Sequence, residues 1–405
     1  MKKTTIISLI ILLIAGLFVA CNNETIVDDA FANGGGGGGG GGGESGYITA
    51  STTTIKAGRT WTIQGDVVNN NRITIDGTEE TTIFLPAGKK LELKQGITVS
   101  AGQTLIIDGD DTGKLIAGED LYGGSHGQAG IGGANQFDYG GTIIIKNGTI
   151  KAYGGNYTAA IGCIVYPPTT PDEGTTNIQI LGGNIEAKGG YSCGAGIGGC
   201  KATILIEEGI VVAKSSDHET YGSGVGIGGY GCTITINGGG IQAWGGKGGA
   251  GIGSVDNGGG YGSLPQTIKI TGGTVEAKGG ASGSDGPGAG IGGGEGAPGG
   301  TIIISGGIIT ANGGAGESVG GAGIGGGYHA DGGTITLSGT PKIKAIGGAD
   351  ETHGIGGGTF GADGTLTVTS LEADAKLLVS ADESSYDDYS TASPNPERYM
   401  KTSNY

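Results

Sequence analysis

Residues 288–294 read GAGIGGG, and near-copies of this stretch recur through most of the chain, eight in all. Glycine loses more backbone freedom on ordering than any other residue and offers no side chain to pack. A segment with one large side chain in seven therefore cannot hold itself in place, and its partners must lie elsewhere in the sequence. The central isoleucines of the copies are Ile131, Ile161, Ile197, Ile227, Ile252, Ile291, Ile324 and Ile355, spaced 30, 36, 30, 25, 39, 33 and 31 residues apart. Spacing this uneven excludes a rigid fibre repeat and suits a solenoid whose coils carry loops of different length.

Two further runs complete each unit. In the run typified by Thr301-Ile302-Ile303-Ile304-Ser305, alternate positions stay large and aliphatic from Ile143/Ile145 to Leu366/Val368, while their neighbours vary freely, as in Thr235, Lys269 and Ile303. In the run typified by Gly307-Ile308-Ile309-Thr310-Ala311-Asn312, an aliphatic residue is followed two places on by alanine, from Ile150/Ala152 to Ile343/Ala345. Period-two alternation means strands with one buried face. Three strands per unit with glycine at the corners predict an all-β parallel β-helix, each strand pairing with its copies above and below. The glycines beside the central isoleucine are expected to face outward or to turn corners at positive φ.

The pattern extends upstream. Ile97-Thr98-Val99, Thr104-Leu105-Ile106-Ile107-Asp108 and Lys114-Leu115-Ile116-Ala117 match the three runs, and residues 72–95 supply one coil more through Ile73/Ile75, Ile83/Leu85 and Leu91/Leu93. Residues 47–375 thus read as one solenoid of about ten or eleven coils, some 50 Å long at the strand spacing. Within it, 47–120 are N-terminal coils and 121–375 the glycine-rich repeats.

Composition narrows the function classes. Glycine is 98 of 405 residues and proline only 10, without the every-third-residue period of collagen. The formal net charge is −16, and the only arginines are Arg59, Arg72 and Arg398, so no basic stripe suits a phosphate backbone and nucleic acid is not an expected partner. Lys2 and Lys3 precede an apolar run from Ile6 to Ala20, the pattern of a cleaved secretory signal over residues 1–20. Phe18-Val19-Ala20-Cys21 resembles a bacterial lipobox, which implies cleavage before Cys21, lipidation of its thiol and, with Asn22 following, release to the outer membrane. An ordinary secretory peptide with a chance cysteine is the alternative. Residues 21–46, with unbroken glycine from Gly34 to Gly43, read as a flexible tether, and 376–405 as an acidic, loose tail.

The stretches RITIDG (72–77), GITVSAGQTLIIDG (96–109) and GKLIAG (113–118), followed by units such as AGIGG (289–293) and GGTIIISGGIITANGG (299–314), resemble the glycine-rich β-helix surface proteins of gut and soil bacteria. The resemblance covers about residues 70–370. It implies a pectate-lyase-like, right-handed helix and a carbohydrate-binding or adhesin-like role. The regular G-G-x-G-x-D of the calcium-binding nonapeptide type is absent from this sequence.

Aromatic residues supply the leading candidate site. Tyr122, Tyr157, Tyr191 and Tyr221 each fall in the turn before the glycine-rich segment, in four successive coils, and stacking predicts that they align along one edge. Sugar rings pack their C–H faces on such side chains while hydroxyls bond the rim. Aromatics that pack on one another to stiffen glycine-rich turns are the competing reading. Tyr139, Tyr166, Tyr230, Tyr261, Tyr328 and Phe360 mark a second, less regular edge. Later coils replace the first-edge tyrosines by Asp285, Glu317 and Asp350, a weak calcium set or a solvated acidic rim. The best pair of carboxylates for catalysis is Asp331 and Asp363, with His329 beside the first, a constellation that a polar turn would also produce. Cys163 and Cys200 lie close enough on paper to bridge. With Cys193 and Cys232 they allow three pairings, or none if the thiols are buried and free.

These features predict a lipid-anchored, cell-surface β-helix that binds a polysaccharide or a host glycan without chemistry or cofactor. A purely structural or adhesive surface protein is the second reading and a polysaccharide lyase or glycoside hydrolase the third. The membrane is contacted only through the N-terminal lipid. The Cys21→Ser variant is expected to lose fatty-acid labelling and to accumulate as unacylated precursor; unchanged labelling would remove the anchor.

Overall fold

The computed structural model describes residues 45–122, 127–135, 138–165, 175–191, 193–216, 224–255, 266–281, 286–349, 352–371, 377–380, 387–388, 399–403 and 405. Cys21 and the glycine run 34–43 lie outside the described residues. From Ser45 onward the chain winds as a parallel β-helix with three strands per coil.

Three sheets form its walls. The threonine sheet has twelve parallel rungs, from Ser45–Tyr47 through Thr142–Ile145 to Thr365–Leu371, most of them beginning with threonine. The corner sheet has nine two-residue rungs, from Ile97–Thr98 to Ile355–Gly356. The lysine sheet has ten parallel rungs, from Val67–Asn69 to Lys342–Ile346, and three antiparallel strands beyond them.

The register is the one the alternation demands. Ile143 pairs with Ile178, then Ile204, Ile234 and Ile268 on successive rungs, and each is essentially inaccessible. Ala152, Ala187, Ala213 and Ala243 stack in the same way on the lysine sheet. One coil buries too few side chains to offset the ordering of some thirty residues, but stacked coils share one continuous core running from Ile48 to Met400.

At the corner the glycines are buried rather than facing outward. Gly198 has φ of 131°, and a Cβ there would occupy the space of the Gly228 carbonyl oxygen of the next coil. That oxygen accepts a hydrogen bond from Gly199 N at 2.9 Å, and Ile197 N donates to Gly226 O at 3.1 Å. The same pair of bonds recurs one coil on, from Gly229 to Gly253 and from Ile227 to Gly251. From Gly132 to Gly325, a side chain after the isoleucine would hold adjacent coils apart, whereas the isoleucine turns inward to the core.

Arg72 secures the N-terminal coils. Its guanidinium donates to Gln95 O at 2.6 Å and Ala129 O at 2.9 Å, and to Thr98 Oγ1 at 2.7 Å, tying two successive coils through their backbones. Burial lowers its pKa to about 10, against the opposing pull of the Asp138 carboxylate.

The C-terminal segment is not simply a loose tail. Tyr399–Thr402 pairs antiparallel with Lys342–Ile346, and Leu377–Ser380 pairs with Tyr399–Thr402 in turn. Met400 enters the core and Thr402 Oγ1 accepts from Ile343 N at 3.0 Å. The last coil has no successor to cover its apolar interior and lysine-sheet edge, and this antiparallel return covers both.

Alanine at Gly228 is therefore expected to cost on the order of 3 kcal/mol or more, from strained φ and a backbone collision. Gly240 has open space at its Cβ position and no positive φ, so Gly240→Ala is expected to be neutral or stabilising by up to about 1 kcal/mol. Denaturant titration of both variants checks this; equal losses would show that the corner contact does not carry the stacking.

Candidate functional site

The strands of the lysine sheet deliver the chain into the turns that precede the corner sheet, and Tyr122, Tyr157 and Tyr191 sit there. A 3-10 turn at Glu119–Leu121 buries Leu121 and leads directly into Tyr122. The Tyr122 ring lies 5.1 Å from that of Tyr191, tilted by 32°, and 6.2 Å edge-on from Tyr153. Lys188 Nζ stands 4.6 Å from the centre of the Tyr122 ring. Tyr157, from the coil between, adopts φ of 62°, donates its N–H to Tyr191 O at 3.0 Å and leaves 47% of its surface exposed. The expected even ladder is thus replaced by a cluster that skips Tyr157, because the left-handed backbone there points the chain differently. Tyr221 lies outside the described residues.

Two members of this surface escaped the sequence reading. Tyr153 and Trp244 end their strands at the outward position that Lys188, Lys214 and Lys278 take on neighbouring rungs. Lys214 Nζ sits 3.8 Å from the centre of the Trp244 ring, a cation–π contact. An aromatic interrupting a column of lysines was the available signal, and it emerges only once the strands are aligned.

The second edge divides into two groups. Tyr139 and Tyr230 are buried against Cys200. Tyr328, His329 and Phe360 form an aromatic group, with His329 4.1 Å from Tyr328 and 5.0 Å from a largely exposed Phe360. Tyr166 and Tyr261 lie outside the described residues.

The expected carboxylate pair has structural engagements. Asp331 Oδ1 accepts from Ala362 N of the next coil at 2.8 Å. Asp363 meets His353 rather than His329, Oδ1 to Nε2 at 2.7 Å, and His353 Nδ1 faces Gly357 O at 3.1 Å. Both neighbours of the imidazole are acceptors, so both bonds form only when both ring nitrogens carry protons. His353 stands where earlier coils place alanine or valine, and its ring fills the space beside Gly356 that the next coil's backbone occupies elsewhere. Glu317 is exposed, whereas Asp285 and Asp350 lie outside the described residues. Among the described residues no group of three or more histidines, cysteines or carboxylates is placed to hold a metal ion.

Cys163, Cys200 and Cys232 are free, buried thiols, and Cys193 is a reduced, partly exposed one. The expected approach of Cys163 to Cys200 is realised as a contact from Sγ to the Cys200 carbonyl at 3.8 Å, not as a bridge. Cys232 Sγ donates to Gly199 O at 2.9 Å. Burial pushes the Cys163 thiol up to about 12 and the Cys200 thiol to about 11, and raises Cys232 as well. The three serve as small apolar fillers.

Comparison with protein-family models, with curated proteins and with solved structures returns no match for this chain. The candidate surface therefore rests on its own chemistry.

Alkylation of the native protein at pH 8 is expected to leave Cys163, Cys200 and Cys232 unmodified, and all three should react after unfolding. A raised thiol pKa favours the folded state fully below the ordinary value of 9.0, and the advantage is lost as pH climbs toward 12 for Cys163. The melting temperature should accordingly fall across that window, and less steeply in Cys163→Ala. Peptide masses showing a Cys163–Cys200 disulfide would contradict the assignment.

Proposed function

We propose that this protein is a lipid-anchored, non-enzymatic surface β-helix that binds a glycan along the edge formed by the lysine sheet and its following turns. The observation that supports this most is the outward aromatic cluster of Tyr122, Tyr153 and Tyr191, with the exposed Tyr157 beside it and Trp244 further along the sheet. Aromatic faces with polar rims suit the alternating C–H and hydroxyl character of a sugar ring. The anchor and the outer-membrane location belong to the same proposal and rest on the lipobox alone. A structural or adhesive role without a glycan site is favoured by one specific contact, the 5.1 Å packing of Tyr122 on Tyr191, which stiffens the turns by itself. The lyase or hydrolase reading has the weaker support, since Asp331 and Asp363 are each engaged in ties within the last coils.

Replacing Tyr157, Tyr191 and Trp244 by alanine together separates binding from stiffening. At about 1 kcal/mol for each lost stack, glycan-array affinity should fall on the order of a hundredfold. The β-sheet circular dichroism should persist, because these side chains lie outside the core. Unchanged affinity with a lowered melting temperature would reject the binding surface in favour of the structural role.

A further inference from the structure

The three walls of the helix differ sharply in charge. On the threonine sheet, the outward positions from Thr142–Ile145 to Thr365–Leu371 carry one charged residue, Lys269. On the lysine sheet, the outward positions from Lys114–Ala117 to Lys342–Ile346 carry seven lysines and two glutamates. This sign is opposite to that of the chain as a whole, which has 38 acidic against 22 basic residues. Both glutamates are engaged by neighbours on the same face: Glu186 is paired with Lys151 at 2.7 Å, and Glu276 accepts from Gln242 Nε2 at 3.2 Å.

The cations and aromatics fall into one column. Tyr153, Lys188, Lys214, Trp244 and Lys278 take the same register position on five consecutive rungs, a line about 19 Å long at a spacing of ~4.8 Å per rung. Lys188 and Lys214 are held over aromatic rings, Tyr122 and Trp244, which fixes their ammonium groups at the surface. An extended polysaccharide advances by a similar length per sugar, so successive rungs meet successive residues. The repeat of this column is set by strand stacking, not by loops, and it offers a positive charge at three of the five rungs.

Resting on the glycan-binding reading, we propose that the ligand is an anionic glycan, carboxylated or sulfated, lying along the helix axis on this column with Lys188, Lys214 and Lys278 contacting its acidic groups.

Cellulose derivatives test the charge on one extended backbone. The full chain in detergent is titrated with carboxymethylcellulose, cellulose sulfate and neutral hydroxyethylcellulose, alongside the combined variant Lys188→Gln, Lys214→Gln, Lys278→Gln. Wild type is expected to bind at least one anionic polymer ten times more tightly than the neutral one, which of the two identifying the acidic group. The triple variant should lose at least tenfold on that polymer while keeping the β-sheet circular dichroism of the wild type, and raised salt should weaken wild type in the same direction. Trp244→Ala, which leaves the charges in place, should also weaken it. Equal or tighter binding of the neutral polymer would overturn the anionic proposal and leave the glycan reading standing. Anionic binding untouched by the triple variant would overturn the site, equal retention on double-stranded DNA would overturn its restriction to glycans, and failure of all three polymers would overturn both readings.

Discussion

The contact on which the structure depends is backbone against backbone. Where Gly198 meets the Gly228 carbonyl, two coils approach so closely that no Cβ fits between them, and the arrangement repeats at Gly253 and Gly292. The approach allows two interstrand hydrogen bonds per coil in a sheet only two residues wide. It also sets a single pitch for all three walls. Once coils are held at strand spacing, the isoleucines and alanines of the other two sheets stack on their own copies, and the core becomes continuous although each coil contributes little. The high glycine content that looks like a defect in one unit is the condition for joining many.

A fixed pitch also makes the outside of the molecule periodic. Loops of very different length leave from the corners, yet the outward side chains of the sheets remain in register through all of them. Chemistry placed on a sheet is therefore repeated at a regular interval, while chemistry placed in the turns is not. The first-edge tyrosines illustrate the second case: Tyr122 reaches past Tyr157 to Tyr191, and no even ladder forms. The lysine column illustrates the first, each rung following from the pairing of alanines one position inside it.

Much of the architecture was legible in the sequence because period-two alternation reports directly which residues point inward. Ile302 and Ile304, or Val275 and Ala277, could only be strand residues with a buried face, and their copies named their partners. The C-terminal return was not legible, since Leu377–Ser380 and Tyr399–Thr402 pair antiparallel and have no counterpart in the repeat to be aligned with. His353 was concealed for a related reason: its role depends on being in the last coil, where the space beside Gly356 has no next backbone to fill it. Trp244 and Tyr153 required the register of the lysine sheet, which fixes them beside lysines that are distant in sequence. Turn residues were the least legible, because their direction follows from local backbone angles such as the φ of 62° at Tyr157.

The central claim is that separation along the axis counts coils and not residues, and spin-label distances measure that directly. Ile144, Gln179, Leu205 and Thr336 hold the same outward position on the threonine sheet. Labels at Thr336 paired with Leu205, Gln179 or Ile144 should lie four, five and six rungs apart, at about 19, 24 and 29 Å for ~4.8 Å per rung. Equal increments of one strand spacing, despite the unequal stretches of chain between the labels, are the result the stacked-coil account predicts. Increments that followed the number of intervening residues, or a single broad distribution for all three pairs, would contradict it.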